Sequence, residues 1–242
     1  MKGIILAGGK ATRLYPLTEF GIVKQLLPLY DRPIIYYPLQ TLIKSGITEI
    51  LIISSLDGLP MLKEYLGNGD KWGVKLEYAL QQDPKGLAEA FIIGETFIGD
   101  DDVTLILGDN IFLQNEFDLQ ANTIYTYSVN DPNRYGVAKF SDDGTLDCVV
   151  EKPQEFISTQ AVVGLYSFTN SCVEIAKNVL PSERGEVEIV DVINAMSTKE
   201  KVDIVNVDDR MWFDVGTFDS LLDCANLVAA YKTRTNIQIK KL

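Results

Sequence analysis

The stretch KGIILAGGKATR, residues 2–13, runs from an apolar segment into two adjacent glycines, Gly8 and Gly9, and then into Arg13. The apolar segment predicts a buried strand, and the glycine pair predicts a tight turn directly after it. Glycine lets backbone N–H groups approach an anion closely, while Arg13 and the later Lys24 can neutralise its charge. The stretch therefore predicts a phosphate-binding loop at the end of a strand, and with it a bound nucleotide.

Two common nucleotide-binding loops do not fit this stretch. The dinucleotide fingerprint G-x-G-x-x-G needs a third glycine that is missing here, which disfavours a nicotinamide-dependent oxidoreductase. A P-loop would align Gly3 and Gly8, but Gly9 then stands where the lysine must be. On these residues alone an ordinary strand-to-helix turn stays open, although the cations that follow favour phosphate binding.

The composition narrows the chemistry available to the chain. Its 242 residues suffice for one large domain or two small ones. With 34 acidic and 22 basic residues, the net charge of −12 disfavours nucleic acids and anionic membranes as partners. The sequence contains no histidine, which excludes histidine-based catalysis and most zinc sites. Carboxylates, lysine, arginine and a hard metal ion remain.

The cysteines and the apolar segments bear on location. Cys148, Cys172 and Cys224 are odd in number and far apart, so we expect reduced and mostly buried thiols. No apolar run approaches the roughly 18 residues of a membrane-spanning helix, and the chain enters a strand directly after Met1 without a signal peptide. We therefore expect a cytoplasmic protein without a membrane partner.

The hydrophobic pattern predicts an α/β fold. Strands and helices alternate in the first half, which favours a mainly parallel sheet with helices on both faces and ligands beyond the carboxyl ends of the strands. Shorter strands with turn signals in the second half indicate antiparallel additions. The predicted strands are 2–7, 49–54, 74–79, 103–107, 122–129, 135–140, 146–150 and 161–168. The predicted helices are 33–45, 57–66, 86–94, 171–180, 186–197 and 217–231.

Two carboxylates stand at predicted strand ends. Asp109 directly follows the buried strand 103–107, and Asp214 lies between an aromatic strand and a helix start. Asp109 could instead belong to a turn, and Asp214 could cap the helix with Thr217. Together with a triphosphate, the pair would suit Mg²⁺, which binds through one or two carboxylates plus phosphates.

Several segments together resemble the sugar-1-phosphate nucleotidylyltransferases. They are LAGGKATRLYPLT at 6–18, KQLLP at 24–28, LGDN at 107–110, RYG at 134–136, EKP at 151–153, RGE at 184–186 and DVGT at 214–217. They occur in the family's order over essentially the whole chain, and they are most similar to those of the glucose-1-phosphate thymidylyltransferases, in the short form that ends soon after the last helix.

The resemblance implies a fold and a division of the chain. The fold is a Rossmann-like, mainly parallel sheet flanked by helices with an antiparallel sugar-binding insertion, the nucleotide-diphospho-sugar transferase type. One domain would span 1–242, with a nucleotide-binding part at about 1–110, a sugar-phosphate-binding part at about 111–216 and a C-terminal helix at about 217–231.

The resemblance also implies roles for individual residues. The implied nucleotide-binding residues are Leu6, Gly8, Gly9, Thr12, Arg13, Gln25, Gln81, Pro84, Gly86 and Asp109. The implied sugar-phosphate-binding residues are Tyr135, Gly136, Glu151, Lys152, Val162 and Arg184. The implied catalytic residues are Arg13, Lys24, Asp109 and Lys152, and Asp109 and Asp214 would hold Mg²⁺.

The implied reaction converts dTTP and α-D-glucose 1-phosphate into dTDP-glucose and pyrophosphate, the first step of dTDP-deoxysugar synthesis, by a homo-oligomer (dimer or tetramer). UTP or another hexose 1-phosphate stays open as substrate. A non-catalytic sugar-nucleotide-binding regulator is a third possibility, disfavoured because Arg13, Lys24 and Asp109 are all present. In one departure, Ala11 stands where the family usually has glycine, and it would strain the loop if its φ were positive.

Overall fold

A mixed sheet of nine strands runs through the structure, a computed structural model that describes residues 1–9, 11–182 and 185–235. Two smaller two-stranded sheets accompany it. The strands are Lys2–Ala7 (β1), Pro28–Leu29 (β2), Arg32–Pro33 (β3), Glu49–Ser54 (β4), Lys75–Leu80 (β5), Val103–Leu107 (β6), Asn110–Phe112 (β7), Thr123–Ser128 (β8), Gly136–Phe140 (β9), Leu146–Glu151 (β10), Gln160–Phe168 (β11), Asp203–Asn206 (β12) and Trp212–Asp214 (β13). The helices are Tyr36–Lys44 (α1), Gly58–Leu66 (α2), Glu89–Ile93 (α3), Glu95–Ile98 (α4), Ser171–Asn178 (α5), Ile189–Ser197 (α6) and Phe218–Thr235 (α7).

The parallel part of the sheet has the order β6-β1-β4-β5. Strand β1 lies inside it, and Ile4 pairs with Leu51 on one side and with Leu105 on the other. This confirms the predicted parallel core. Because parallel strands end at the same edge, the segments that follow β1, β5 and β6 come together there.

The antiparallel part continues the same sheet. Strand β11 pairs antiparallel with β6, β8 and β9, and β9 pairs with β10 as a hairpin. The predicted antiparallel strands are therefore present, and β11 connects them directly to the parallel core. Strand β12, which the pattern did not predict, adds to β8 in parallel.

A short ladder outside the main sheet joins distant parts of the chain. Strand β13 pairs antiparallel with β7, which sets Asp214 opposite Asn110 and Trp212 opposite Phe112. Both strands are three residues long. The pairing brings the segment after β13 to the carboxyl end of β6.

Helices cover both faces of the sheet, as predicted. On one face, α1 and α2 contribute Leu39 and Leu62 to the core, and on the other, α3 and α6 contribute Phe91 and Val192. Helix α7 packs through Val228 in a third apolar cluster. None of the described helices combines the length and the apolar character that crossing a membrane requires.

Several helices differ from their predicted bounds, and for two of them the structure shows a local reason. Helix α1 begins at Tyr36 rather than at residue 33, because Arg32–Pro33 pairs with β2. The predicted helix 86–94 begins only at Glu89, since Gly86 has a φ of +105° and a Cβ there would lie 2.3 Å from the carbonyl oxygen of Val187. The thiols of Cys172 and Cys224 are buried and Cys148 is half-buried, and all three are free.

Candidate active site

The glycine turn after β1 holds a close approach between two segments. A Cβ on Gly8 would lie 2.2 Å from Oε1 of Gln81, so only glycine leaves room for that amide. Gln81 follows directly after β5 and is buried. The turn therefore brings the ends of β1 and β5 together, as the parallel sheet predicts.

Ala11 adopts the left-handed backbone conformation, the case in which we expected this residue to strain the loop. Its φ is +50° and its ψ +33°. Leu14 N–H and the Thr18 hydroxyl both donate to the Ala11 carbonyl, at 3.0 and 3.1 Å. The loop thus contains a non-glycine residue in the left-handed region, which costs about 1–2 kcal/mol.

A cavity of about 220 Å³ opens at the carboxyl edge of the parallel strands. Most of the residues implied for the nucleotide lie around it. Its lining consists of Leu6, Gly8, Gly9, Lys24, Gln25, Gln81, Pro84, Gly86, Leu87, Leu107, Asp109 and Glu186. Gln25 is buried, and its Oε1 accepts no hydrogen bond from any described residue.

Thr12 and Arg13 lie outside this cavity lining. Thr12 is exposed in the short turn after Ala11. The guanidinium of Arg13 lies against Gly216, where a Cβ would be 2.8 Å from Arg13 Nη2 and 3.3 Å from Asp214 Oδ1. The Arg13 guanidinium therefore lies near the Asp214 carboxylate rather than in the lining of this cavity.

The two carboxylates are neighbours. Asp109 follows β6 and Asp214 ends β13, and Val215 N–H donates to the Asp109 carbonyl at 3.0 Å. The Lys24 ammonium forms an ion pair with Asp109 Oδ2. Burial raises the pKa of Asp214 to about 6, with a further increase from the Asp109 charge, whereas Lys24 and Arg13 oppose this shift. A cation beside the pair would stabilise its second negative charge.

The donor set fits a hard divalent cation. Both side chains offer carboxylate oxygens, which Mg²⁺ prefers. Within the described residues, no group of three or more His, Cys, Asp or Glu side chains is gathered as a metal site. The pair therefore suits an ion whose remaining ligands come from phosphates and water, rather than one enclosed by protein.

Asn110 connects this pair to the antiparallel strands, a role the sequence did not reveal. It is buried, and its Oδ1 accepts from Gly164 N–H at 3.0 Å and from Trp212 Nε1–H at 2.6 Å. Its Nδ2 donates to Asp109 Oδ1 at 3.1 Å. The one feature of the sequence that could have indicated this role is the position of Asn110 in the LGDN segment, next to Asp109.

A second cavity, of about 140 Å³, lies next to the first. The two share Leu87 and Leu107. Most of the residues implied for the sugar phosphate surround it, together with aromatic and aliphatic side chains. Its lining consists of Leu87, Leu107, Asn110, Arg134, Tyr135, Gly136, Glu151, Lys152, Val162, Gly164, Tyr166, Ile189, Val190, Ile193, Trp212 and Asp214.

The polar side of the second cavity is built at the end of the β9–β10 hairpin. Lys152 has a φ of +44°, and its backbone N–H donates to the Tyr135 carbonyl at 2.9 Å. Its ammonium lies 2.9 Å from Glu151 Oε1. The Tyr135 ring packs against Trp212 with centroids 5.7 Å apart. Arg184 lies outside the described residues.

Comparisons with known proteins agree on one family. A family model described as nucleotidyl transferase matches residues 2–230. A glucose-1-phosphate thymidylyltransferase of Neisseria meningitidis is 44% identical over 250 residues, covering 99% of this chain and 86% of that protein. The protein of the same name from Mycobacterium tuberculosis is 43% identical over 248 residues, with 99% and 86% covered.

Solved structures extend this similarity to the fold. A chain assigned as a glucose-1-phosphate thymidylyltransferase of Bacillus anthracis, in complex with a sucrose, matches with a TM-score of 0.86 at 35% identity, covering 94% of each chain. A UDP-glucose pyrophosphorylase complexed with UDP-glucose matches with a TM-score of 0.84 at 23% identity, covering 96% of this chain and 99% of that one. This second likeness concerns the fold alone.

Proposed function

The chain belongs to the nucleotidyl transferase family, and from this premise we propose that it converts dTTP and α-D-glucose 1-phosphate into dTDP-glucose and pyrophosphate. A phosphate oxygen of the sugar phosphate attacks the α-phosphorus of dTTP. The bond between the α-phosphorus and the bridging oxygen breaks, and pyrophosphate leaves with that oxygen. The attacking oxygen is already ionised at neutral pH, so no general base is needed.

The observation that carries this proposal is the junction of the two cavities. They meet at Leu87 and Leu107, with Asp109 beside one cavity and Asp214 beside the other. A nucleotide in the first and a sugar phosphate in the second would bring their phosphates together near both carboxylates. Positioning of this kind can supply much of the rate acceleration of phosphoryl transfer.

On the nucleotide side, the glycine turn and Lys24 would bind the triphosphate. Gly8 and Gly9 line the cavity, and so does Lys24, which is paired with Asp109. Arg13 is an exposed cation near Asp214 and would stabilise charge on the departing pyrophosphate. Gln81 would contact the base.

On the sugar side, Glu151 and Lys152 would bind different parts of the sugar phosphate. Lys152 would neutralise the sugar phosphate, and Glu151 would accept hydrogen bonds from sugar hydroxyls. We infer that Asp109 and Asp214 hold Mg²⁺. When bound, this ion would supply positive charge to the phosphate oxygens.

The preference for dTTP rests on the relatives, which are named thymidylyltransferases. Thymine differs from uracil by one methyl group, which contributes about 1–3 kcal/mol of discrimination in an apolar pocket. UTP therefore belongs in the test. We also expect a cytoplasmic enzyme, because its relatives carry the names of metabolic enzymes. The family resemblance further implies a homo-oligomer.

The experiment is a substrate panel. Pyrophosphate release would be measured with four dNTPs and four NTPs against glucose 1-phosphate and other hexose 1-phosphates, with Mg²⁺ present. We expect the highest kcat/KM for dTTP with glucose 1-phosphate, and ³¹P NMR should identify dTDP-glucose. Absence of pyrophosphate release with every pair would contradict the proposal.

A further inference from the structure

The amide of Gln81 is held by a carboxylate outside the cavity lining. Gln81 Nε2 donates to Glu89 Oε2 at 2.7 Å. The same oxygen accepts the backbone N–H of Lys85 at 3.1 Å. Glu89 is half-buried at the start of α3, so it connects the residue after β5 to the loop that leads into this helix.

This contact fixes which way the amide points. A carboxylate has only acceptor atoms, so the amide nitrogen and not the amide oxygen must face Glu89. The oxygen is then directed away from Glu89, and it lies against Gly8 in the lining of the nucleotide cavity. Among the described residues, no donor occupies Oε1. The orientation follows from the chemistry of the two groups.

We propose that Glu89 is a positioning residue that sets base selectivity by locking the Gln81 amide with its oxygen toward the nucleobase. This inference rests on the proposed function, in which Gln81 contacts the base. A locked oxygen accepts a hydrogen bond from an imide N–H, such as N3–H of thymine or uracil. Cytosine presents an unprotonated N3 at the same place, so two acceptors would face each other.

Replacing Glu89 by alanine should release the lock, because it removes the oxygen that accepts from the Gln81 amide nitrogen. Glu89→Ala also removes the contact with Lys85 N–H, and this loss affects both nucleotides alike. Gln81 can then turn over and direct its own NH₂ group to the base, where it pairs with N3 of cytosine. The variant therefore gains an orientation of the Gln81 amide that the wild-type protein excludes.

The matched substrates are dUTP and dCTP, because they differ only at N3 and position 4 of the base. Their kcat/KM values with glucose 1-phosphate would be measured for the wild type, Glu89→Ala, Gln81→Ala and a matched control, Glu64→Ala, at an exposed position of α2. Calorimetry with dUDP and dCDP gives the ratio of the two binding affinities, which does not depend on turnover.

We expect the wild type to prefer dUTP by about a hundredfold or more, because a site built for a hydrogen bond rejects the wrong partner strongly. Glu89→Ala should lower this ratio by at least about tenfold, because dCTP gains a hydrogen bond from the turned Gln81 amide, while Glu64→Ala keeps the wild-type ratio. A structural defect alone would lower both values together.

The proposal is overturned if Glu89→Ala keeps the ratio within about twofold of the wild type or lowers both values equally. It is also overturned if the wild type shows no preference, or if Gln81→Ala retains the full ratio. Failure of nucleotidyl transfer with every sugar phosphate would instead contradict the proposed function, and the dUDP to dCDP binding ratio would still decide whether the lock exists.

Discussion

The proposed nucleotide side and the proposed sugar side of the site are built by different means. On the nucleotide side, the glycine turn and Gln81 directly follow strands of the parallel sheet, and Asp109 is separated from β6 only by Gly108. On the sugar side, Gly164 lies where the β11–β8 pairing shifts register, and Lys152 has a positive φ after the β10 strand. One side uses the regular ends of strands, whereas the other uses local irregularities held by distant partners.

This difference predicts how each side responds to substitution. Side chains at the ends of buried parallel strands rest on a rigid scaffold, so a change there should act on the ligand that they contact. The sugar side depends on long-range contacts through Asn110, which links Gly164 and Trp212 to Asp109. A change in that network should alter stability as well as binding.

The largest effect should come from the junction of the two sides. Asp109→Asn removes one proposed metal ligand and leaves Lys24 without its ion pair. We expect kcat to fall by about a thousandfold or more, because the charge on the reacting phosphates loses its counterion. Steady-state rates with and without EDTA, together with circular dichroism as a folding control, test this. Full activity in EDTA would contradict the metal assignment.

The next largest effect concerns the Asn110 network. Asn110→Ala leaves two buried donors, Gly164 N–H and Trp212 Nε1–H, without an acceptor, which should cost about 2–4 kcal/mol of unfolding free energy. Urea unfolding gives the value.

Asn115→Ala is the matched control for Asn110→Ala. Asn115 is also buried, but its Oδ1 accepts from the ammonium of the exposed Lys44 at 3.0 Å. It should lose only about 1 kcal/mol. Equal losses for the two variants would show that the Asn110 network has no special importance.

A substitution in the glycine turn should act on the nucleotide alone. Gly8→Ala places a Cβ against Gln81 Oε1, and we expect kcat/KM for dTTP to fall about a hundredfold with the KM for glucose 1-phosphate unchanged. In a Gln81→Ala background the same substitution should have a much smaller effect, since the clashing amide is gone. Additive losses in that double-mutant cycle would exclude this contact as the cause.

A substitution at Gly136, on the sugar side, should have a smaller effect, and it should impair glucose 1-phosphate binding rather than dTTP binding. A Cβ on Gly136 would lie 3.0 Å from Val190 Cγ2 and 3.4 Å from Glu151 Oε2, which is tight without being prohibitive. For Gly136→Ala we expect the KM for glucose 1-phosphate to rise about tenfold and the KM for dTTP to stay constant. An equal rise in both constants would contradict the division into two sides.

The sequence predicted the parallel side in detail because its signals are local. A buried strand that leads into Gly8 or into Asp109 can be recognised from neighbouring residues alone. Asn110 could not be assigned in the same way, since its partners lie 54 and 102 positions along the chain. The aromatic strand before Asp214 was predicted, but the three-residue strand β7 was too short to carry a period, so its pairing with β13 could not be assigned. Glu89 reads as an ordinary first-turn acid until its contact with Gln81 is seen.

The smallest effect should come from Ala11, whose positive φ is a cost that glycine avoids. Left-handed backbone costs alanine about 1–2 kcal/mol, whereas the extra freedom of glycine in the unfolded chain costs about 0.5–1 kcal/mol. Ala11→Gly should therefore raise the unfolding free energy by up to about 1 kcal/mol and tighten dTTP binding modestly, as calorimetry and urea unfolding can measure. Ala195→Gly, within α6, is the control of opposite sign and should lose about 1 kcal/mol. If Ala11→Gly destabilised the protein as much as Ala195→Gly, the loop would not be strained at residue 11, and the nucleotide side would be as regular there as at its strand ends.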